Sequence, residues 1–233
     1  MKAVVVLSGG QDSAICLAIA VKKHGRENVS AITFKYGQRH RVEVKYARTL
    51  AKHFGIAAHN VVELGFYSHL TCSALMDSSR RIERKKGASC PSTVVEGRNA
   101  IFLMAASVWA KSLGAVEVYT GVSEVDYSGY PDCRGEFVRA QQKAARLALD
   151  YPIKIITPLL KMTKADEWAL ADKLGVFDLI ANSTVTCYNG IPASGCGRCP
   201  ACKLRNAGLK SFLARSKKKK KKKDRDLTIV LLR

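Results

Sequence analysis

Residues 3–13 read AVVVLSGGQDS, and the fold turns on them. Five residues of the buried-strand type, Ala3 to Leu7, break into Ser8-Gly9-Gly10. Gln11-Asp12-Ser13 then opens a helix-patterned run to Lys23, with no room for an ordinary loop. A strand-to-helix turn this tight suits an anion. The glycines let backbone approach a ligand without a Cβ in the way, and the unsatisfied N–H groups of the following helix face that ligand. Ser8 and Ser13 add hydroxyl donors, and Asp12 can cap the helix or help hold Mg2+. The candidate phosphate cradle is Leu7, Ser8, Gly9, Gly10, Gln11, Asp12 and Ser13, with Ser8, Asp12 and Ser13 nearest to chemistry. The plainer alternative is a tight turn with Asp12 as an ordinary cap.

The same alternation runs outward from this turn. Strands are expected at Ala3–Leu7, Val29–Phe34, Ala57–Leu64, Val116–Gly121 and Lys154–Thr157. Helices are expected at Asp12–Lys23, Val42–Phe54, Asn99–Leu113, Gly135–Asp150 and Lys164–Leu174, the last begun by a Thr163/Asp166 capping box. Strands alternating with helices imply right-handed crossovers and a doubly wound, five-stranded parallel α/β sheet. Residues 71–92 are polar, basic and weakly periodic, and are expected to form a long flexible loop over the site. The expected organisation is an α/β domain over residues 1–180, a helical, metal-binding segment over 181–215, and a basic, mobile tail over 216–233.

Composition bounds the classes. With 47% apolar residues in 233, the chain can build a sizeable core and is not a disordered one. No apolar stretch reaches bilayer length, and Met1-Lys2 leads straight into a strand without a signal pattern. A soluble, cytoplasmic protein without a membrane partner is the expectation. Of the net charge of +20, residues 217–233 supply +7 (nine lysines and arginines against two aspartates), which leaves a body of +13. A basic body points to anionic ligands: nucleotide phosphates, a carboxylate, or nucleic acid.

Eight cysteines in such a chain argue against a disulfide framework. Cys187, Cys196, Cys199 and Cys202 instead follow a C-x8-C-x2-C-x2-C spacing, with Gly190, Gly195 and Gly197 letting the chain fold back. Four thiolates that close together can surround one metal tetrahedrally, with Zn2+ as the default and an iron–sulfur cluster as the open alternative.

Three further polar stretches fall where strand ends should face the site. They are Tyr36-Gly37-Gln38-Arg39-His40, Gly97-Arg98-Asn99, and the run after Gly121 carrying Asp126, Tyr127, Tyr130, Asp132 and Arg134. Aromatic rings beside carboxylates suit a flat, hydrogen-bonding heterocycle, and Arg98 suits a carboxylate or phosphate in fork geometry. Tyr36, His40, Arg98, Asn99, Asp126, Tyr130, Asp132 and Arg134 are the substrate-site candidates.

The SGGQDS turn resembles the PP-loop of the ATP pyrophosphatases, which bind ATP and cleave it between the α and β phosphates. Adding YGQRH followed by Glu43, GRN, VDYSGYPDCR, PLLKMTKA and TCYNG…GCGRCPACKLR, the chain resembles the 7-cyano-7-deazaguanine synthase family from Ala3 to about Ala214. That resemblance implies a Rossmann-like fold of the adenine nucleotide alpha hydrolase type. It also implies an ATP- and Mg2+-dependent ligase that adenylates 7-carboxy-7-deazaguanine, converts it with ammonia to the amide, then dehydrates the amide to the nitrile in queuosine biosynthesis. It further implies a structural Zn2+ on Cys187, Cys196, Cys199 and Cys202, substrate contacts from the GRN and DYSGYPDCR segments, and a homodimer. The family usually has an aromatic residue and a proline shortly before GRN, where this chain has Val94 and Glu96.

Two rival readings share the loop. A PP-loop enzyme that thiolates tRNA suits the basic body, but four cysteines expected on one metal leave no evident sulfur carrier, and no stretch of these 233 residues reads as an RNA-binding domain. A relative that applies the same chemistry to a macromolecule is the other. Neither the reaction nor the loop requires nucleic acid as a partner.

Overall fold

A computed structural model of the chain describes residues 1–38, 42–70, 73, 75–76, 92–125 and 130–231, with the backbone alone for residues 68 and 219–231. Five strands, β1 (Ala3–Val6), β2 (Val29–Lys35), β3 (Ala58–Glu63), β4 (Glu117–Tyr119) and β5 (Lys154–Ile156), form one parallel sheet in the order β3-β2-β1-β4-β5. The helices are α1 (Gln11–His24), α2 (Val42–Phe54), α3 (Arg98–Ser112), α4 (Gly135–Leu149), α5 (Lys164–Lys173), α6 (Phe177–Asn182) and α7 (Pro200–Leu231).

The central strand shows why the sheet is buried on both faces. Ala3, Val5 and Leu7 point into an apolar layer with α1, Trp168 and Phe212, while Val4 points the opposite way, into a layer with Leu103 and Ala106 of α3. Alternation along a strand sends neighbours to opposite faces, so an unbroken apolar run is what a doubly covered central strand needs. Each fully buried valine contributes about 1.5–3 kcal/mol. β3, at the edge, exposes Ala58, Asn60 and Glu63 instead, which blunts an unpaired edge.

β1 lies between β2 and β4, where the order of connection reverses. In open parallel sheets the crevice beyond the carboxyl ends at such a point holds the ligand. The expected five strands and first five helices all occur, with ends shifted by a residue or so. The Thr163/Asp166 capping box is present. Two features exceed the sequence-based expectation. Val176 to Ser183 contains the short helix α6, and α7 carries helical backbone through the lysine run to Leu231, where a mobile tail was expected. Lysine is a good helix former and no proline follows Pro200, so nothing local ends that helix early. Most of 71–92, the expected covering loop, lies outside the described residues. No helix among the described residues is long and apolar enough to cross a membrane.

At the amino ends of the strands, away from the crevice, Glu117 ties β4 to α1. Its carboxylate accepts from Lys23 Nζ at 2.9 Å, from Tyr119 Oη at 2.8 Å, and meets His24 Nε2 at 2.9 Å. Burial alone would raise its pKa, but the hydrogen bonds from Lys23, Tyr119 and His24 outweigh burial and hold it at about 2. A depressed folded-state value adds stability above the unfolded value of 4.5, and that stability drains away as pH falls towards about 2. Glu117→Gln is therefore expected to cost roughly 3 kcal/mol at neutral pH and little at pH 2. Urea unfolding at both pH values measures this, and an equal cost at both would refute it.

Candidate active site and cysteine cluster

The turn after β1 is as tight as its sequence implies. Gly9 has φ +83°, and a Cβ there would come within 2.5 Å of the Glu43 carbonyl oxygen and 2.9 Å of the Ala47 amide nitrogen in α2, so only glycine fits. Gly10 starts α1 in extended conformation and offers that helix no side-chain cap. Ser8 and Ser13 join their hydroxyls at 3.1 Å, and the Ser8 N–H donates to Ser13 Oγ at 3.2 Å. Two hydroxyls and a helix start that takes no cap from its own N-cap residue thus face one spot, the arrangement that favours bound phosphate.

Across from the loop stands Lys164 at the start of α5, which is only 7% exposed. Its ammonium donates to Asp12 Oδ1 at 2.8 Å and to both Glu167 oxygens at 2.9 and 3.0 Å. Glu167 is wholly buried and also accepts from Gln11 Nε2 at 3.3 Å. Burial first, then the Asp12 charge, push the Glu167 carboxyl well up, with Lys164 pulling against them. Lys164 and Glu167 lie three apart on one face of α5, and Lys164 lines the cavity.

The cavity has a volume of about 740 Å³ and runs from the loop to a second wall built by the ends of β2 and α3. There Arg98 donates to Tyr36 Oη at 3.3 Å, with its guanidinium 5.9 Å from that ring's centroid. Phe102 packs on Tyr36 with centroids 5.2 Å apart. Gln38 stitches the loop after β2, accepting from the Tyr36 N–H at 2.8 Å and donating to the Phe34 carbonyl at 3.1 Å. Glu43, in the first turn of α2, also lines the cavity; burial pushes its carboxyl up to about 7, against the opposing charge of Arg98. Tyr130 connects Thr93 Oγ1, at 2.6 Å, with Tyr188 Oη, at 3.4 Å.

The candidate residues divide by position. Leu7, Ser8, Gly10, Gln11, Asp12, Ser13, Tyr36, Arg98, Asn99 and Tyr130 all line this one cavity. Gly9 acts behind it, as the close approach to α2. Asp132 lies outside the lining: its carboxylate accepts from the Asn99 N–H at 2.9 Å and so caps α3, while its carbonyl accepts from Asn99 Nδ2 at 3.1 Å. Arg134 is exposed at the start of α4, also outside the lining. His40 and Asp126 lie outside the described residues. Val94 is buried, and Glu96 is exposed, with its carbonyl accepting from Tyr67 Oη.

Several cavity residues escaped the sequence reading. Glu43 and Lys164 sat inside stretches that carried the family resemblance, without a role of their own. Tyr188 is drawn in only because its neighbour Cys187 is fixed. Gly121 follows β4 by two residues, and a Cβ on it would lie 2.9 Å from main-chain carbon of Asp12; a lone glycine after a strand gives no hint of that. Cys133 also reaches the cavity, held by Asn99 Nδ2 at 3.5 Å. Burial, with the Asp132 charge, pushes that thiol up to about 11, so it is protonated at neutral pH and a weak nucleophile.

The sulfurs of Cys187, Cys196, Cys199 and Cys202 all lie within 4.8 Å of one another, and Cys196 and Cys202 are 3.9 Å apart. Tetrahedral zinc with bonds of about 2.3 Å spaces its sulfurs by roughly 3.8 Å, so this donor set fits the metal. N–H groups of Cys199 and Arg198 donate to Cys196 Sγ and hold that thiol down to about 6. Burial pushes Cys199 and Cys202 the other way; a bound dication would outweigh it.

This cluster braces the phosphate loop. The Val185 N–H donates to the Gly9 carbonyl at 2.9 Å, and the Gln11 N–H to Thr186 Oγ1 at 3.4 Å. Arg205 of α7, 2% exposed, donates to Thr184 Oγ1 at 2.7 Å and Thr186 Oγ1 at 2.9 Å, fixing the segment from behind.

A model of the protein family described as queuosine biosynthesis protein QueC matches residues 2–213. Among solved structures, NMN synthetase from Francisella tularensis is 17% identical, with a TM-score of 0.48 over 77% of this chain and 63% of that one. The NH3-dependent NAD synthetase from Campylobacter jejuni subsp. jejuni NCTC 11168, in complex with the nitrate ion, is 15% identical, with a TM-score of 0.46 over 77% of this chain and 66% of that one. A 4-thiouridine synthetase in complex with RNA and bound ATP is 19% identical, with a TM-score of 0.48 over 91% of this chain and 53% of that one. The chain thus spans two thirds or less of each of these proteins.

Proposed function

The chain belongs to the queuosine biosynthesis protein QueC family, and from that membership we propose that it is an ATP-dependent carbon–nitrogen ligase. It converts 7-carboxy-7-deazaguanine and ammonia to 7-cyano-7-deazaguanine, releasing AMP and pyrophosphate. The observation that carries this reading is one cavity with the Ser8–Ser13 loop at one end and Arg98 with Tyr36 at the other. A triphosphate and a flat anionic heterocycle can meet there.

In this reading the α1 amides and the hydroxyls of Ser8 and Ser13 receive the ATP phosphates, with Lys164 as the cation opposite. Arg98 steers the substrate carboxylate, and Tyr36 and Tyr130 flank its rings. The carboxylate oxygen attacks the α-phosphorus and pyrophosphate leaves; fixed N–H and ammonium donors stabilise the charge that builds there. Ammonia then displaces AMP to give the amide, whose oxygen is adenylated in turn before elimination yields the nitrile. A single, partly exposed carboxylate, Asp12, suits a magnesium ion carried in on ATP, which would neutralise phosphate charge. Zinc on the four cysteines would be structural, since a closed all-sulfur site has no open position.

The test mixes the protein with ATP, magnesium, ammonium and the carboxylate, and follows nitrile by mass spectrometry and AMP by chromatography. Nitrile and AMP together are expected. ADP in place of AMP would refute the mechanism, and AMP without nitrile would assign a different acceptor. Salt-sensitive tRNA binding without turnover of the free carboxylate would favour the thiolation reading.

A further inference from the structure

Glu43 is a carboxylate on the cavity wall for which the reaction as described has no use. It sits in the first turn of α2, whose backbone is locked against the phosphate loop by the close approach of Gly9. Its side chain forms no hydrogen bond or ion pair among the described residues. Among the described residues, the other charged and titratable groups around it are Arg98 from α3 and Tyr36 from the end of β2, with Asp12 and Lys164 across the cavity. Of the two carboxylates that line the cavity among the described residues, Asp12 is held by Lys164 and Glu43 by none of those residues.

We infer that Glu43 is the proton acceptor for the nitrogen steps of the proposed ligation. This rests on the ligase reading and deepens it. When ammonia attacks the acyl adenylate, the nitrogen lone pair forms the C–N bond and the acyl–oxygen bond breaks, its electrons leaving on AMP. The surplus N–H proton passes to Glu43. In the second half, Glu43 takes one amide proton as C=N forms on adenylation. After passing that proton to solvent, it takes the last one as the C–O bond to AMP breaks and C≡N forms. No oxidant or further reactant is needed. A carboxyl raised to about 7 by burial can both accept these protons and return them to water near neutrality.

The experiment compares the full-length wild type with Glu43→Gln and Glu43→Asp in two assays on the same preparations. Carboxylate-dependent ATP–pyrophosphate exchange reads the first adenylation, which asks nothing of Glu43. Amide and nitrile formation read the nitrogen steps. Glu43→Gln is expected to keep exchange within about threefold and to lose about 10²–10³-fold in amide and nitrile formation. Glu43→Asp is expected to recover part of that loss. At fixed free-ammonia concentration the wild-type rate should rise with pH through about 7, and Glu43→Gln should lose that limb. Nitrile formation by Glu43→Gln at the wild-type rate, an unchanged pH limb, or equal loss of exchange and ligation would each overturn the assignment. Wild-type protein with no carboxylate-dependent exchange would overturn the ligase reading itself, and this one with it.

Discussion

Lys164→Met is expected to lower ATP–pyrophosphate exchange by about 10²–10³-fold and to destabilise the fold by about 3–5 kcal/mol. Two different roles of the same ammonium group produce these losses. Towards the cavity, Lys164 is the buried cation opposite the Ser8–Ser13 loop, where the proposed reaction would release pyrophosphate. Away from it, the same nitrogen lies 2.8 Å from Asp12 and 2.9 Å from Glu167. Removing one partner of a buried ion pair leaves the other charge without compensation, which costs far more than the pair itself contributes. Asp12 would keep its charge without a partner, and the wholly buried Glu167, its carboxyl already pushed well up by burial, would stay inside with its ammonium donor gone. Lys164→Met combined with Glu167→Gln separates the roles, because it replaces the buried carboxyl that has lost its ammonium donor with an amide that still meets Gln11. The double variant should regain much of the unfolding free energy in urea and none of the exchange activity. Recovery of exchange alongside stability would make Lys164 a structural residue only.

Stripping metal from the cysteine cluster should do damage well beyond the cluster. Residues 187–202 have little apolar core of their own: Cys187, Cys199 and Cys202 are buried mainly against Tyr188, Cys196 and Ala201. Without a metal, four sulfurs within 4.8 Å hold nothing together. Structural zinc contributes about 10–16 kcal/mol in isolated peptides, so even a fraction of that lowers the melting temperature by upwards of about 10 °C. The brace formed by Val185 with Gly9 and Thr186 with Gln11 carries the damage to the phosphate loop. Protein treated with a chelator, or carrying Cys202→Ser, should bind ATP at least about tenfold more weakly by calorimetry while retaining most of its helical circular dichroism. Elemental analysis of untreated protein should give one zinc per chain. Unchanged melting and unchanged ATP affinity after complete metal loss would refute the brace, and iron with sulfide in its place would assign a cluster.

Much of this architecture was legible from the chain alone. The strand and helix cores were readable because each is set within a few residues, by alternation, by 3.6-residue periodicity or by a cap such as Thr163 with Asp166. The cysteine site was readable because its ligands are close in sequence. Polar residues at strand ends were harder to rank. Asp132 carries the signature of a substrate contact, and in the fold its carboxylate reaches back across 33 residues to the Asn99 N–H at the start of α3, a tertiary contact that no local pattern announces. Glu43 and Lys164 were in view without a role, because a lone charged residue near a helix start is most often a solvated one.

The sequence by itself determined the parallel α/β order, the tight glycine turn at Ser8–Ser13 and the four-sulfur cluster, all properties of short stretches read by period and spacing. Only the tertiary structure decided who meets at the cavity. The reversal of strand order between β1 and β4 brings Lys164 to Asp12 across 152 residues of chain, sets Glu43 and Arg98 on one wall, and lays Val185 against Gly9. Contacts of that kind depend on the packing of whole elements against a shared sheet, and no local pattern of residue types encodes them.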